Sequence, residues 1–246
     1  MAIKRAPRKR KESGDDIMKS LEENYNKFDF KFKKRGFKFT PRQKALIELI
    51  SDPDVKVVMI DGVAGTSKSI MSIYCGLTML LNNTTSKMLY MRSVVESSQK
   101  GLGFLKGSLE EKMEVWRHVL DSKCAELIEP QDLPKVMGSG RIEALPINYI
   151  RGASWKNMFV ILDEGQNLDY DALKLVLSRI GEDTKLIICG DSDQCDIKDS
   201  GFYKVYDMFN DDESKKHGIV SFKFNECDIV RSEICRFIVG KFKSVN

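Results

Sequence analysis

Along the chain, short apolar runs alternate with stretches of three-to-four-residue periodicity, and several of the runs end in a polar cluster. The runs at 55–60, 87–91, 142–145, 158–162, 186–189 and 219–224 have the length and residue types of strands. Residues 158–162, fully apolar, have the pattern of a central parallel strand buried on both faces. Between the runs, 44–50, 70–81, 108–128, 169–177, 202–209 and 229–242 read as helices. Thr40 and Pro41 open the first helix, because a threonine hydroxyl caps and a proline fits the first turn; Asp169 stands at the start of a later one. Upstream, 16–27 has the character of a short helix. Phe28, Phe30, Phe32, Phe37 and Phe39 then alternate with Asp29, Lys31, Lys33 and Lys38. This ribbon reads as an edge strand laying one phenylalanine face on the core, although interleaved basic and aromatic residues also suit base stacking. Strands alternating with helices predict an α/β fold, a parallel sheet flanked by helices, with ligands at the strands' carboxyl ends.

Three polar clusters lie at such ends. The first run stops at Asp61-Gly62-Val63-Ala64-Gly65-Thr66-Ser67-Lys68-Ser69, and Ile70 begins an apolar segment: the order strand, phosphate-binding loop, helix. Gly62 and Gly65 can take backbone angles closed to other residues, so that consecutive amides turn inward around an anion. Lys68 would place its charge on the outer phosphates and Ser69 its hydroxyl on Mg²⁺. Measured against G-x-x-x-x-G-K-[ST], Ser67 stands where the second glycine belongs. If that position needs a glycine-only conformation the loop is strained; if it is already helical, serine is harmless. An ordinary turn is the alternative for the segment alone. Asp163, at the tip of an apolar strand, is placed to hold Mg²⁺ opposite Ser69, and Glu164 to orient or deprotonate a water attacking a γ-phosphate; a helix N-cap is the plainer account of such a pair. Asp191 and Gln194 follow the next strand, where a glutamine can sense the γ-phosphate and a simple turn is the alternative.

Composition sets bounds. With 246 residues, 42% hydrophobic and 31% charged, the chain suits one α/β core domain with appendages. Its longest apolar run is too short to span a bilayer, and the basic N-terminus lacks the apolar stretch of a secretory signal. No membrane association and a cytoplasmic location are expected. Cys75, Cys124, Cys189, Cys195, Cys227 and Cys235 include no C-x-x-C pair, and with His118 and His217 they suggest reduced thiols and no zinc site. Net charge is +4, yet residues 1–36 hold twelve Lys and Arg against six Asp and Glu, so the remainder is slightly acidic. Lys4, Arg5, Arg8, Lys9, Arg10 and Lys11 read as a basic arm, bound to nucleic acid phosphates or merely solvated. The division expected is an arm at 1–36 and a folded domain at 37–246.

These residues carry a resemblance. Gln43, the glycine-containing loop, Asp163-Glu164-Gly165-Gln166-Asn167 and Gly190-Asp191-Ser192-Asp193-Gln194 resemble the Q motif, Walker A, Walker B and following glutamine motif of superfamily 1 helicases. More narrowly, Met91-Arg92-Ser93-Val94-Val95-Glu96, Gly101-Leu102-Gly103-Phe104-Leu105-Lys106-Gly107, Tyr149-Ile150-Arg151-Gly152 and Asp228-Ile229-Val230-Arg231 are similar to the PhoH family of ATPases, over about 40–242. The resemblance implies a single RecA-like P-loop NTPase domain that uses ATP and Mg²⁺. Gly62, Val63, Ala64, Gly65, Thr66, Ser67, Lys68, Ser69 and Ile70 would hold the nucleotide, with Gln43 on the adenine. Ser69 and Asp163 would hold the metal, and Glu164, Lys68, Gln194 and Arg231 would be catalytic, Arg231 as an arginine finger. Family association with RNA metabolism, and in some members unwinding, implies single-stranded nucleic acid as a partner, RNA favoured. Three departures stand out: Ser67 for glycine, which bears on turnover, Gly165 for alanine and Ser93 for proline. About eighty residues follow Glu164, enough for one of the two lobes a monomeric helicase closes on ATP. A homo-oligomer is therefore expected, a hexameric ring among its forms, with Arg231 or Arg151 acting in trans; for Arg231 an ion pair with Asp228 or Glu233 is the alternative. A nucleotide sensor with little turnover and a nucleic-acid-binding structural protein are the competing functions.

Overall fold

The computed structural model describes residues 31–93, 109–147, 150, 152, 154–191 and 194–243, the side chains of 109–116, 235, 239, 242 and 243 aside. The expectations for residues 1–30, 94–108, Tyr149, Arg151, Ser192 and Asp193 lie outside these residues. The chain divides into units 1–31 and 32–246, and the elements named here belong to the second.

Helix α1 (Pro41–Ser51) begins as its sequence prescribes: the Thr40 hydroxyl accepts the Gln43 N–H, and the Gln43 side chain accepts the Thr40 N–H in return. Strand β1 (Val57–Asp61) leads into the loop and then helix α2 (Lys68–Leu81). Strand β2 (Lys87–Arg92), helix α3 (Leu109–Leu127), the short α4 (Leu133–Met137) and strand β3 (Ile142–Pro146) follow. Strand β4 (Met158–Asp163) carries the central acids; helix α5 (Tyr170–Leu177), strand β5 (Lys185–Gly190), helices α6 (Phe202–Met208) and α7 (Asp212–Lys216), strand β6 (Ile219–Lys223) and helix α8 (Glu233–Lys243) complete the unit.

The six strands form one parallel sheet in the order β3-β2-β4-β5-β1-β6. Both residue types and position explain the burial: β1 and β5 are buried throughout, whereas the edge strand β3 is half-buried in its middle. The register aligns the carboxyl ends, Asp61 beside Gly190 and Arg92 beside Asp163. On one side α2 buries Met71, Ile73, Leu77 and Leu80; elsewhere Leu173 and Val176 of α5 and Phe202 and Val205 of α6 pack in a core with β4 and β5 residues. Among the described residues no helix is long and apolar enough to cross a membrane.

Two expectations fail. The Phe32–Phe39 ribbon is no edge strand: β3 and β6 hold the two edges, and Lys33 to Arg35 pair instead with the end of α3, through Arg35 N–H to Leu127 O and Glu129 N–H to Lys33 O. The last helix starts at Glu233 instead of residue 229, because Val230 donates its N–H to Gly65 O at 3.1 Å and the segment is drawn onto the loop.

Candidate functional site

The loop after β1 turns back on itself, with Thr66 buried and its hydroxyl donating to Val63 O at 2.8 Å. Gly65 takes φ +88°, open to glycine and strained for other residues. Gly62 is required for another reason than its backbone angle: a Cβ there would sit 2.7 Å from Phe224 Cβ. Ser67 occupies φ 68°, ψ 26°, the left-handed region, and its hydroxyl makes no cap to α2. The position therefore has the conformation glycine adopts freely, and serine holds it under strain. Lys68 folds inward, donating to Gly62 O and to Val63 O (3.1 Å), with Asp191 Oδ2 3.6 Å away.

Across the cleft, Ser69 Oγ donates to Asp163 Oδ1 at 2.7 Å. Asp163 is nearly inaccessible and heavily partnered. Its Oδ2 accepts from the hydroxyl of buried Tyr90 at 2.6 Å and lies 3.8 Å from Lys123 Nζ on α3. Burial first, and then the neighbouring Asp163 charge and hydrogen bond, push the Tyr90 hydroxyl pKa far up, so it stays a donor. Glu164 also sits in the left-handed region, φ 57°, ψ 39°. Such conformations cost roughly 1–3 kcal/mol and concentrate at functional sites. Its carboxylate accepts from Arg92 at 3.2 Å and from Gln166 Nε2 at 2.8 Å. Buried Gln166 ties the second and third clusters together: Nε2 also donates to Gln194 O (3.1 Å), and Oε1 accepts the Asp191 N–H (3.0 Å).

One open cleft of about 460 Å³ is bordered by Ala64, Gly65, Ser67, Lys68, Ser69, Ile70, Asp163, Glu164, Gln194 and Arg231. A model of the PhoH-like protein family matches residues 38–243. The chain belongs to the PhoH family. It is 35% identical over 207 residues to a PhoH-like protein of Synechocystis, covering 83% of this chain and 61% of that one. To Protein PhoH2 of Mycolicibacterium smegmatis it is 35% identical over 155 residues, 63% of this chain and 36% of the relative. It thus spans about three fifths and about a third of these relatives. A solved Pif1 helicase from Candida albicans overlays with TM-score 0.38 and 14% identity, covering 77% of this chain and 40% of that one, too distant to carry functional meaning. The matched residues span the whole of the open α/β sheet, six parallel strands with flanking helices.

Within that PhoH framework most sequence candidates converge on the cleft, while Gly62, Val63, Thr66 and Gln43 lie outside its lining. Gln43 is buried in the α1 capping box and lies outside the cleft lining. Arg231, expected with Arg151 as a candidate for action in trans, borders the cleft of its own chain, its Cδ about 3.4 Å from where a Gly65 Cβ would stand. The Val230–Gly65 bond holds it there, while Asp228, its alternative ion partner, accepts the Asn225 N–H. Ser93, where the resemblance leads one to expect proline, uses an N–H that proline lacks to donate to Asp163 O at 3.2 Å. Tyr90, Lys123 and Gln166 have no assigned role in the sequence reading. Of the three, Lys123 left a signal: it falls in the α3 stripe of buried Leu120, Cys124 and Leu127, where a lysine needs an anionic partner.

Proposed function

We propose that this chain is a Mg²⁺-dependent ATPase that works on single-stranded nucleic acid, RNA favoured, as a homo-oligomer. The observation that carries the reading is the 2.7 Å bond between Ser69, at the start of α2, and Asp163, at the end of β4, with Lys68 and Glu164 bordering the same cleft. The donors at this edge are hard oxygens, which suit magnesium. Among the described residues no group of three His, Cys, Asp or Glu side chains would hold a metal; Ser69 and Asp163 are the residues that would hold magnesium arriving with a nucleotide. When bound, it supplies charge that offsets what builds on the phosphate oxygens.

The chain's own residues do the rest. Lys68 leaves the Gly62 and Val63 carbonyls for the outer phosphates, and the loop amides cradle the chain of phosphates. Glu164, oriented by Arg92 and Gln166, accepts the proton of the attacking water. Gln194 reports the γ-phosphate to Glu164 through Gln166, and Arg231 stabilises the transferred group in cis. The exposed apolar face Val230, Ile234, Phe237 and Ile238 next to Arg231 supports a second copy closing over the cleft; a sedimentation profile of monomer alone at saturating ATP would remove the oligomer.

Phosphate release by wild type, Lys68→Ala and Glu164→Gln tests the site, with single-stranded RNA and DNA added in turn. Lys68→Ala should lose nucleotide binding, and Glu164→Gln should bind yet turn over roughly a hundredfold more slowly. Equal release by all three refutes the assignment. The strain at Ser67 favours one second reading, a nucleotide sensor; ATP protection against unfolding without any release selects it.

A further inference from the structure

The segment 33–44 is the basic and aromatic stretch that fails to join the sheet. Phe37 is 42% exposed, and its ring lies within 13° of parallel to Phe39, centroids 6.0 Å apart. Phe39 meets Tyr74 of α2 edge to face at 4.9 Å. Lys34 clamps that contact, its Nζ 4.0 Å above the Tyr74 ring and 2.6 Å from Thr78 Oγ1. The stack is thus braced at its inner end on α2 and open to solvent at its outer ring. Around it, residues 32–47 hold Lys33, Lys34, Arg35, Lys38, Arg42 and Lys44 and no acidic residue. All of these but Lys34 are exposed. Asp132 accepts the backbone N–H of Lys33, while Arg35 donates to Ile128 O, and Arg42 donates to Lys223 O and stacks over Phe222.

We propose that this segment is a docking surface for a single-stranded polynucleotide, with Phe37 the ring on which a base stacks and the exposed lysines tracking the phosphates. A lysine-rich surface around one free ring is the opposite of a protein interface core, where lysine is depleted; it is the combination that single-strand binders use. The surface is anchored on Tyr74, midway along the helix whose first residue is Lys68, so polynucleotide and nucleotide load one element about two turns apart. The inference rests on the reading that this ATPase works on nucleic acid.

The test is fluorescence anisotropy on the full chain with a labelled oligouridylate and the matching oligothymidylate. Phe37→Ala should weaken oligouridylate binding about tenfold, as loss of one base–aromatic stack does, leaving affinity for a fluorescent ATP analogue unchanged. Lys33→Gln/Lys38→Gln/Lys44→Gln should reduce the salt slope by roughly 2, since each phosphate that a lysine no longer neutralises takes about 0.7 from it. Phe37→Trp should retain binding and be quenched by the oligonucleotide. Similar effects on both oligonucleotides match stacking that ignores the sugar; an effect on oligouridylate alone assigns the surface to RNA. Phe37→Ala binding as tightly as wild type, or Phe37→Trp unquenched at saturation, overturns the surface. Wild type that binds the ATP analogue and neither oligonucleotide overturns it together with the nucleic acid reading, and leaves the ATPase standing.

Discussion

Replacing Ser67 with glycine should improve this protein. An L-residue in the left-handed region costs roughly 1–2 kcal/mol, and Ser67 holds φ 68°, ψ 26° with no cap bond from its hydroxyl in return. Glycine removes that strain but enters folding with a more flexible unfolded chain, a loss of roughly 0.5–1 kcal/mol. The net gain is about 0.5–1 kcal/mol, which for a domain of this size raises Tm by about 1–4 °C. If nucleotide binding needs this same loop shape, Kd for a fluorescent ATP analogue tightens by up to about fivefold. Ser67→Ala isolates the cause: it keeps the backbone strain and removes an uncommitted hydroxyl, so it should melt with wild type. Scanning calorimetry and an analogue titration on the three proteins decide the matter. Ser67→Gly melting at or below wild type, with Ser67→Ala clearly lower, would mean that the hydroxyl matters and the backbone does not.

Tyr90→Phe removes the hydroxyl donor to Asp163 Oδ2; a loss of roughly 1.5–3 kcal/mol in urea unfolding is expected for a hydrogen bond to a charged group. Gly62→Ala should destabilise by about 1–3 kcal/mol, since the new Cβ would press to 2.7 Å on Phe224, and should weaken nucleotide binding by displacing the loop. Burial holds the Lys185 ammonium pKa down from 10.5 to about 8, against two carbonyls, Ile50 O and Asp52 O. The unfolded chain then keeps its proton above pH 8 while the folded chain releases it, so wild-type stability relative to Lys185→Met should rise between pH 8 and 9, on the order of 1 kcal/mol. Above pH 9 the buried thiols of Cys75, Cys124 and Cys189, pushed up to about 12, begin to act in the opposite sense. Urea titrations of the pair from pH 8 to 9 check the first sign, and of wild type alone from pH 9 to 11 the second.

Elements whose residues agree locally with their place in the fold were legible from sequence. The apolar runs became β1, β4 and β5, the Thr40 cap opened α1, and the loop, Ser69 and Asp163 met at the carboxyl edge of the sheet. What escaped were features set by neighbours distant in the chain. Tyr90 read as one more apolar residue in β2, since its bond to Asp163 depends on the pairing of β2 with β4. Gly62 looked like a residue of special backbone angle, yet its need comes from Phe224, far along the chain. The alternating Phe32–Phe39 segment has a strand's period, but its Lys33 to Arg35 backbone pairs with residues 127–129 and not with a sheet edge, so pattern alone misplaced it. Gln166 joins two motifs that sequence shows as separate.

The strand order has a consequence for how the protein comes into being. β1 carries the phosphate loop, yet its neighbours in the sheet are β5 and β6, both encoded well over a hundred residues later. At roughly 5–20 residues per second of synthesis, Val57 to Ile60 wait on the order of ten seconds on the ribosome without either partner. Such long-range parallel pairing is slow and leaves an apolar strand open to aggregation. Every loop residue proposed to touch phosphate is made early, but the strands that flank β1 are made late. A nascent chain ending before β5 should therefore hold the whole loop sequence and bind no nucleotide.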